Sequence, residues 1–437
     1  MLSPDRCPGI LAPPSAGRIH DWHGAASALG HSLHAAAYWD EARQECNWIG
    51  HRDIEDALTA PYSERNAALS PELYSGSSGI AWFLAELHGE TGMPEALDTA
   101  WGGLRRSIRY SREHPSPAYS LSLYAGTLGL LHVALRMAAV APGLPLEEEC
   151  ARLFDEAVEG WRKSHPYDVI GGNAGAILTL LDIAGGFRTE ECRSLAVQLG
   201  EELCETATWS AGICSWTATG GFAELPPMTG FSHGVSGIAA SLLRLYELTG
   251  ETRFLRTARG AFAFEDARYN PEEKNWVDTR YPYEGEGATL QGRFRLSWCH
   301  GAPGIALARA LASRLDTEGA EAHAGFARAA AETTLTALAE KLEQPGHDAT
   351  LCHGIAGLSE ILLVLGEALG EEIYRERAEQ AFARLAPRLA TWSDCPSGLV
   401  SQGRTPCLMV GAAGIGLHLL RLGSPRRVPS PLLPGWR

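Results

Sequence analysis

Cys299-His300-Gly301-Ala302-Pro303-Gly304 and Cys352-His353-Gly354-Ile355-Ala356-Gly357 are two copies of one pattern, Cys-His-Gly-x-x-Gly. Two thiols and one or two imidazoles within reach of each other suit a zinc ion. One copy alone carries little, because an isolated buried Cys is usually an inert small hydrophobe. The duplication in register makes a metal the better reading. The spacing is unlike a Cys-x-x-Cys finger, which argues against a separate structural zinc. Three protein ligands would leave a fourth position open, as catalytic sites do. Composition does not choose between His300 and His353 as the third ligand. Two thiolates donate charge to a metal, so a substrate thiol in the open position would lose its proton and stay nucleophilic. That chemistry is thiol activation rather than hydrolysis.

A looser Gly-x-x-Gly recurs along the chain, with first glycines at 76, 126, 172, 234, 301, 354 and 411. The residues just before them are Ser75, Ala125, Gly171, His233, His300, His353 and Val410. One place earlier stand Tyr74, Tyr124, Ile170, Ser232, Cys299, Cys352 and Met409. If the repeats ring a common axis, the cysteines and histidines converge on one side of its mouth. His233 has no Cys before it, so acid–base work is its better assignment. Asp168 and Arg295 are charges beside apolar sequence, as suited to a structural ion pair as to catalysis.

These residues need elements to hold them. Each glycine turn is followed by an apolar run, such as Ile80–Leu87, Ile305–Leu311 and Leu358–Leu365. Such runs, apolar nearly all round, read as buried helices. Between them lie amphipathic stretches rich in Glu, Ala, Leu and Arg, among them Glu147–Lys163 and Glu318–Glu343, without strand-type alternation. Seven pairs of one buried and one solvent-facing helix give an all-α fold, an α/α toroid of two concentric rings. Glycine at each turn lets backbones approach closely at the mouth.

The chain has 437 residues, more than one core usually spans, but repeats bury mainly against their neighbours. A net charge of -15 without a basic stripe excludes a nucleic-acid-binding face. No apolar run reaches the roughly 20 residues of a membrane span. The ten scattered cysteines lack the density of a disulfide scaffold, and the chain reads as cytoplasmic. Residues 1–60 are expected to form a partly helical extension, 61–423 the toroid, and 424–437 a Pro-rich, unstructured tail. The stretch 269–292 reads as a long loop, a lid or a substrate wall.

Seven Gly-x-x-Gly turns with Trp298-Cys299-His300-Gly301 and Cys352-His353-Gly354 resemble the lanthionine synthetase C-like (LanC) cyclase family over most of the chain, from about Tyr74 to Leu422. Tyr167-Asp168-Val169-Ile170, Asn275-Trp276-Val277-Asp278 and Cys407-Leu408-Met409-Val410-Gly411 are similar to the cyclase halves of class II lanthipeptide synthetases. The chain is too short for their dehydratase half and looks like a stand-alone cyclase. The resemblance implies an (α/α)7 toroid with one catalytic Zn²⁺ held by Cys299, Cys352 and His353. It implies that a peptide cysteine thiolate on zinc adds to dehydroalanine or dehydrobutyrine, forming a thioether ring. His233 matches the family's acid–base histidine, while Asp168 and Arg295 match positions used near the metal. A cation there can stabilise the enolate oxygen. Asp168 would orient either His233 or Arg295. His300, where family members vary, is given no ligand role. The implied substrate is a dehydrated precursor peptide, with a separate dehydratase and a transporter as further candidate partners. Three alternatives compete with a lanthipeptide cyclase: addition of glutathione to dehydroamino acids in proteins, a non-catalytic peptide-binding scaffold, and an α/α-toroid glycosidase. The last needs a carboxylate pair where the turns supply Cys and His.

Overall fold

The computed structural model describes residues 20–54, 63–116, 119–161, 166–217, 226–280, 294–344, 346–399 and 403–436. Helix α1 (Trp22–Ala35) comes first. Pairs then follow: α2 (Ser77–Thr91) with α3 (Pro94–Glu113), α4 (Thr127–Val140) with α5 (Glu147–Trp161), and α6 (Asn173–Ile183) with α7 (Thr189–Thr206). Next are α8 (Val235–Thr249) with α9 (Thr252–Asp266), α10 (Ala302–Leu315) with α11 (Ala320–Glu343), α12 (Ile355–Leu369) with α13 (Glu372–Leu385), and α14 (Ala412–Gly423).

Even-numbered helices form the inner ring. They are rich in Leu, Ile and Ala and buried on all sides; α12 is buried without interruption from Ile355 to Gly366. Left-handed glycines at 92, 250 and 370 stop α2, α8 and α12. Odd-numbered helices bury one stripe, as α3 does through Ala96, Ala100, Leu104 and Ile108. Each inner helix packs on the next, and α14 returns to α2. The last outer position is filled by α1, which packs on α14. The fold is therefore an all-α barrel of helix pairs, closed by its first and last helices.

A ring of hydrogen bonds, main-chain to main-chain in all but one link, closes the mouth. Tyr74 N donates to Tyr124 O (2.9 Å), Met409 N to Tyr74 O (2.9 Å), Cys352 N to Met409 O (2.9 Å) and Trp298 N to Cys352 O (3.1 Å). Phe231 N donates to Cys299 O (3.1 Å), Val169 N to Ser232 O (3.0 Å), and the Ser122 hydroxyl to Ile170 O. All seven residues two places before the first glycines are thus joined in a circle. The second glycine of each turn makes this possible. A Cβ there would meet a carbonyl oxygen six residues earlier, at distances from 1.9 Å at Gly304 and Gly357 to 2.3 Å at Gly79.

Among the described residues, four short hairpins lie between helices, outside the amphipathic stretches read from the sequence as free of strand-type alternation. They pair β1 (Tyr38–Asp40) with β2 (Glu45–Asn47), β3 (Ile49–Ile54) with β4 (Ser63–Ala68), β5 (Thr208–Ser210) with β6 (Ile213–Ser215), and β7 (Tyr269–Asn270) with β8 (Asn275–Trp276). Most strands have two or three residues, too few to alternate visibly. Two hairpins are equivalent. Cys46 Sγ donates to Thr99 O and Trp48 Nε1 to Leu33 O, as Cys214 Sγ does to Thr257 O and Trp216 Nε1 to Leu203 O.

The expectation of an unstructured C-terminal tail is corrected. Val428, Leu432, Leu433 and Trp436 are buried. The segment runs into the middle of the inner ring: Arg421 of α14 donates to Val428 O (2.6 Å), the Arg314 guanidinium of α10 covers the Trp436 ring (5.0 Å), and Trp436 Nε1 donates to Glu367 of α12 (3.2 Å). Apolar side chains, not the prolines, decide its fate. Of the loop expected over 269–292, residues 281–292 lie outside the described residues; 269–276 form the hairpin β7–β8. Among the described residues, no helix is long and apolar enough to cross a membrane.

Candidate metal centre and acid–base pair

Cys299 and Cys352 lie in the turns that lead into α10 and α12, on the hydrogen-bonded circle. His353 is one residue further along the second turn. Their ligand atoms, two Sγ and one imidazole nitrogen, all lie within 4.8 Å of one another. Four-coordinate sites with N and S ligands at about 2.0–2.3 Å need donors this close, so the three residues fit a metal ion. His300, on the neighbouring turn, is not part of the group.

The two thiols differ from the other cysteines. Burial pushes Cys46, Cys192, Cys214 and Cys395 up to about 12, which leaves them inert thiols. Cys299 moves the other way, well below the ordinary thiol range, through hydrogen bonding from Cys352 and from His353. Burial and the charge of Cys299 push Cys352 well up. Burial opposes the charged form of His353, but its contact with Cys299 outweighs that and raises its pKa. Two hydroxyls reach the sulfurs: Tyr74 Oη donates to Cys352 Sγ at 2.9 Å, and Ser297 Oγ lies 3.2 Å from Cys299 Sγ.

His233 and Asp168 form a second unit. His233 Nδ1 is 2.7 Å from Asp168 Oδ2, and Asp168 Oδ1 accepts the Gly171 N–H at 2.7 Å. Since a carboxylate only accepts, Nδ1 carries the proton. Asp168 is thus hydrogen-bonded to His233, one of the two partners the sequence leaves open to it. His300 stacks beside His233, with ring centroids 6.0 Å apart. Its Nδ1 meets Thr229 O at 3.3 Å, and burial lowers its pKa to about 4.

One cavity of about 560 Å³ joins both units; its wall includes Cys299, Cys352, His353, His233, Tyr74 and Arg280. Arg295 is not among the described residues of that wall. It is half exposed, with Nε 3.7 Å from Asp278 Oδ2. The same carboxylate holds Arg280 through two hydrogen bonds of 3.0 and 2.7 Å. Sequence reasoning missed Arg280, Tyr74 and Ser297. Arg280 lies in the segment singled out as a substrate wall, and Tyr74 occupies the repeat position of the two cysteines.

A family profile described as Lanthionine synthetase C-like protein matches residues 67–433. No curated protein matches the sequence. Among solved structures, nisin cyclase superposes with a TM-score of 0.62 at 19% identity, over 82% of this chain and 90% of that one. At that identity the likeness shows the fold. The GH76A α-1,6-mannanase from Salegentibacter sp. HEL1_6 has a TM-score of 0.45 at 14% identity, covering 92% and 98% of the two chains. D-mannose isomerase has a TM-score of 0.45 at 10% identity, covering 94% and 100%. Likenesses at that level carry no argument. With the profile spanning the whole inner ring and both Cys-His-Gly turns, the protein belongs to the lanthionine synthetase C-like family.

Proposed function

We propose that the protein is a zinc-dependent lanthipeptide cyclase, which adds cysteine thiols of a dehydrated precursor peptide to dehydroalanine or dehydrobutyrine. The observation that carries this reading is the shared cavity, in a chain of this family. A group of two thiols and an imidazole and a carboxylate-held histidine open on the same space.

Cys299, Cys352 and His353 would hold the ion, and this donor set is one zinc favours over harder cations. Zinc bound there would acidify a thiol in its remaining position without making it a poor nucleophile. The addition balances without an oxidant: an S–C bond forms at Cβ, the C=C bond is lost, and the thiol proton is replaced by a proton delivered to Cα. His233 supplies that proton from Nε2, the ring nitrogen that does not face Asp168. Asp168 fixes the ring's tautomer and its orientation. Arg280 supplies positive charge to the cavity for the enolate oxygen, and Arg295 shares its partner Asp278. The dehydroamino acids must come from a prior dehydration of Ser or Thr, so a dehydratase precedes this step. Nine free cysteines among the described residues suit a reducing cytoplasm.

Cyclisation does not change mass, so rings are counted by thiol alkylation. A dehydrated, cysteine-containing peptide incubated with the zinc-loaded protein is expected to lose alkylatable thiols, as read by mass spectrometry. Full alkylation after incubation with zinc-replete protein would overturn the reading.

A further inference from the structure

We propose that Tyr74 is a positioning residue for the metal centre: its hydroxyl donates to the Cys352 thiolate, holding that sulfur in place and withdrawing part of its negative charge. This rests on the reading of Cys299, Cys352 and His353 as metal ligands.

The geometry is direct. Tyr74 Oη is 2.9 Å from Cys352 Sγ across the ring of repeats. A phenol is protonated at neutral pH, so the contact is O–H···S with Tyr74 as donor. The backbone of Tyr74 is clamped on both sides, by its own N–H on Tyr124 O and by the Met409 N–H on its carbonyl, each at 2.9 Å. Its ring meets the edge of Tyr124 with centroids 6.4 Å apart. Main chain and ring are both fixed, so the hydroxyl has little freedom to leave the sulfur.

The repeat gives the contact a second meaning. Tyr74 stands two places before its first glycine, as Cys299 and Cys352 do. The position that supplies thiolates in two repeats supplies a hydroxyl for one of them in a third. Two thiolates this close repel each other, and a donor on one relieves the pair. Ser297 Oγ reaches Cys299 Sγ, but it also lies 3.1 Å from the His300 carbonyl, which competes for its proton. The Tyr74 hydroxyl has no such competitor among the described residues. Groups that hydrogen-bond to metal ligands commonly set affinity as well as geometry.

Tyr74→Phe removes one oxygen and keeps the ring. Zinc affinity, measured by competition with a chromogenic chelator, is expected to fall on the order of 10–100-fold. With Co²⁺ as the probe, the sulfur-to-cobalt charge-transfer band is expected at longer wavelength, because a thiolate without its donor gives up charge more readily. Tyr124→Phe, the same deletion one repeat on, should leave the band in place, since Tyr124 Oη donates to Pro431 O instead (2.7 Å). Site-specific 3-fluorotyrosine at position 74 strengthens the donor without altering packing and should move the band to shorter wavelength, which keeps the test open if Tyr74→Phe folds poorly. A wild-type protein that binds no zinc overturns the metal reading and this proposal with it. Wild-type affinity and an unmoved band in Tyr74→Phe, an unmoved band with the fluorinated residue, or an equal shift in Tyr124→Phe, overturn the role of Tyr74 alone.

Discussion

His233 Nδ1 and Asp168 Oδ2 lie 2.7 Å apart, although 65 residues separate them in the chain. The two residues come from adjacent turns of the ring, and the main-chain bond from Val169 N to Ser232 O (3.0 Å) ties those turns together immediately beside the pair. The hydrogen bond fixes the ring's orientation and turns Nε2 away from Asp168. His233→Ala is expected to lose cyclisation by about 10²–10⁴-fold, the usual contribution of a general acid, while binding zinc like the wild type. Asp168→Asn lets the amide NH₂ face Nδ1 and favours the wrong tautomer, so it should lower kcat more than it raises KM. Loss of zinc from His233→Ala would show that His233 is a ligand rather than an acid.

The metal ligands separate from the acid by the opposite result. Cys299→Ala and Cys352→Ala should each lose bound zinc, measured by elemental analysis of the purified protein, and with it cyclisation. Full zinc occupancy in Cys352→Ala would falsify the ligand assignment. Burial and the Cys299 charge push Cys352 well up, so the metal must displace its proton. Zinc binding should therefore release protons, seen as a buffer-dependent heat in calorimetry, and affinity should weaken as pH falls.

How much of this was legible in the sequence follows from what repeats and what does not. The glycine turns recur because a Cβ at the second glycine would strike a carbonyl at 1.9–2.3 Å; a constraint imposed seven times leaves a visible pattern. The same register carries Cys299, Cys352 and His233, so the site residues stood out with the fold. Arg280 was hidden because it is held by a neighbour two residues away, Asp278, in a stretch without repeat register. Tyr74 was in plain sight, but its partner is 278 residues distant and only ring closure brings them together. The tail was misjudged because four prolines argue against helix or strand, yet do not prevent burial.

Acid should destabilise the fold through buried histidines. Burial, reinforced by Arg309, lowers His323 to about 4. Its folded pKa lies below the unfolded value of about 6.5, so the unfolded chain takes up the proton first. The stability involved is fully present above about pH 6.5 and is lost as pH falls toward 4. His418 is shifted in the same direction by burial, despite Glu360 at 3.0 Å. The melting temperature should drop between pH 6.5 and 4.5, by up to about 1.4 kcal/mol of stability per pH unit for each histidine. His323→Gln should flatten that profile, and a profile parallel to the wild type would refute the assignment.

The tail tests whether the middle of the ring needs filling. Trp436 is buried, donates its indole N–H to Glu367 and lies under Arg314, so one side chain links α10 and α12 from the inside. Four residues earlier, Leu432 O accepts the indole N–H of Trp298 at 3.1 Å, and Trp298 directly precedes Cys299. Trp436→Ala removes the apolar contact and leaves Glu367 without this donor. The expected loss is about 3–5 kcal/mol, as for other buried Trp→Ala changes, read from denaturant unfolding. Since Trp436 touches none of the proposed ligands, zinc stoichiometry under native conditions should stay at that of the wild type. An unchanged unfolding midpoint would show that the inner ring holds without the Trp436 side chain between α10 and α12.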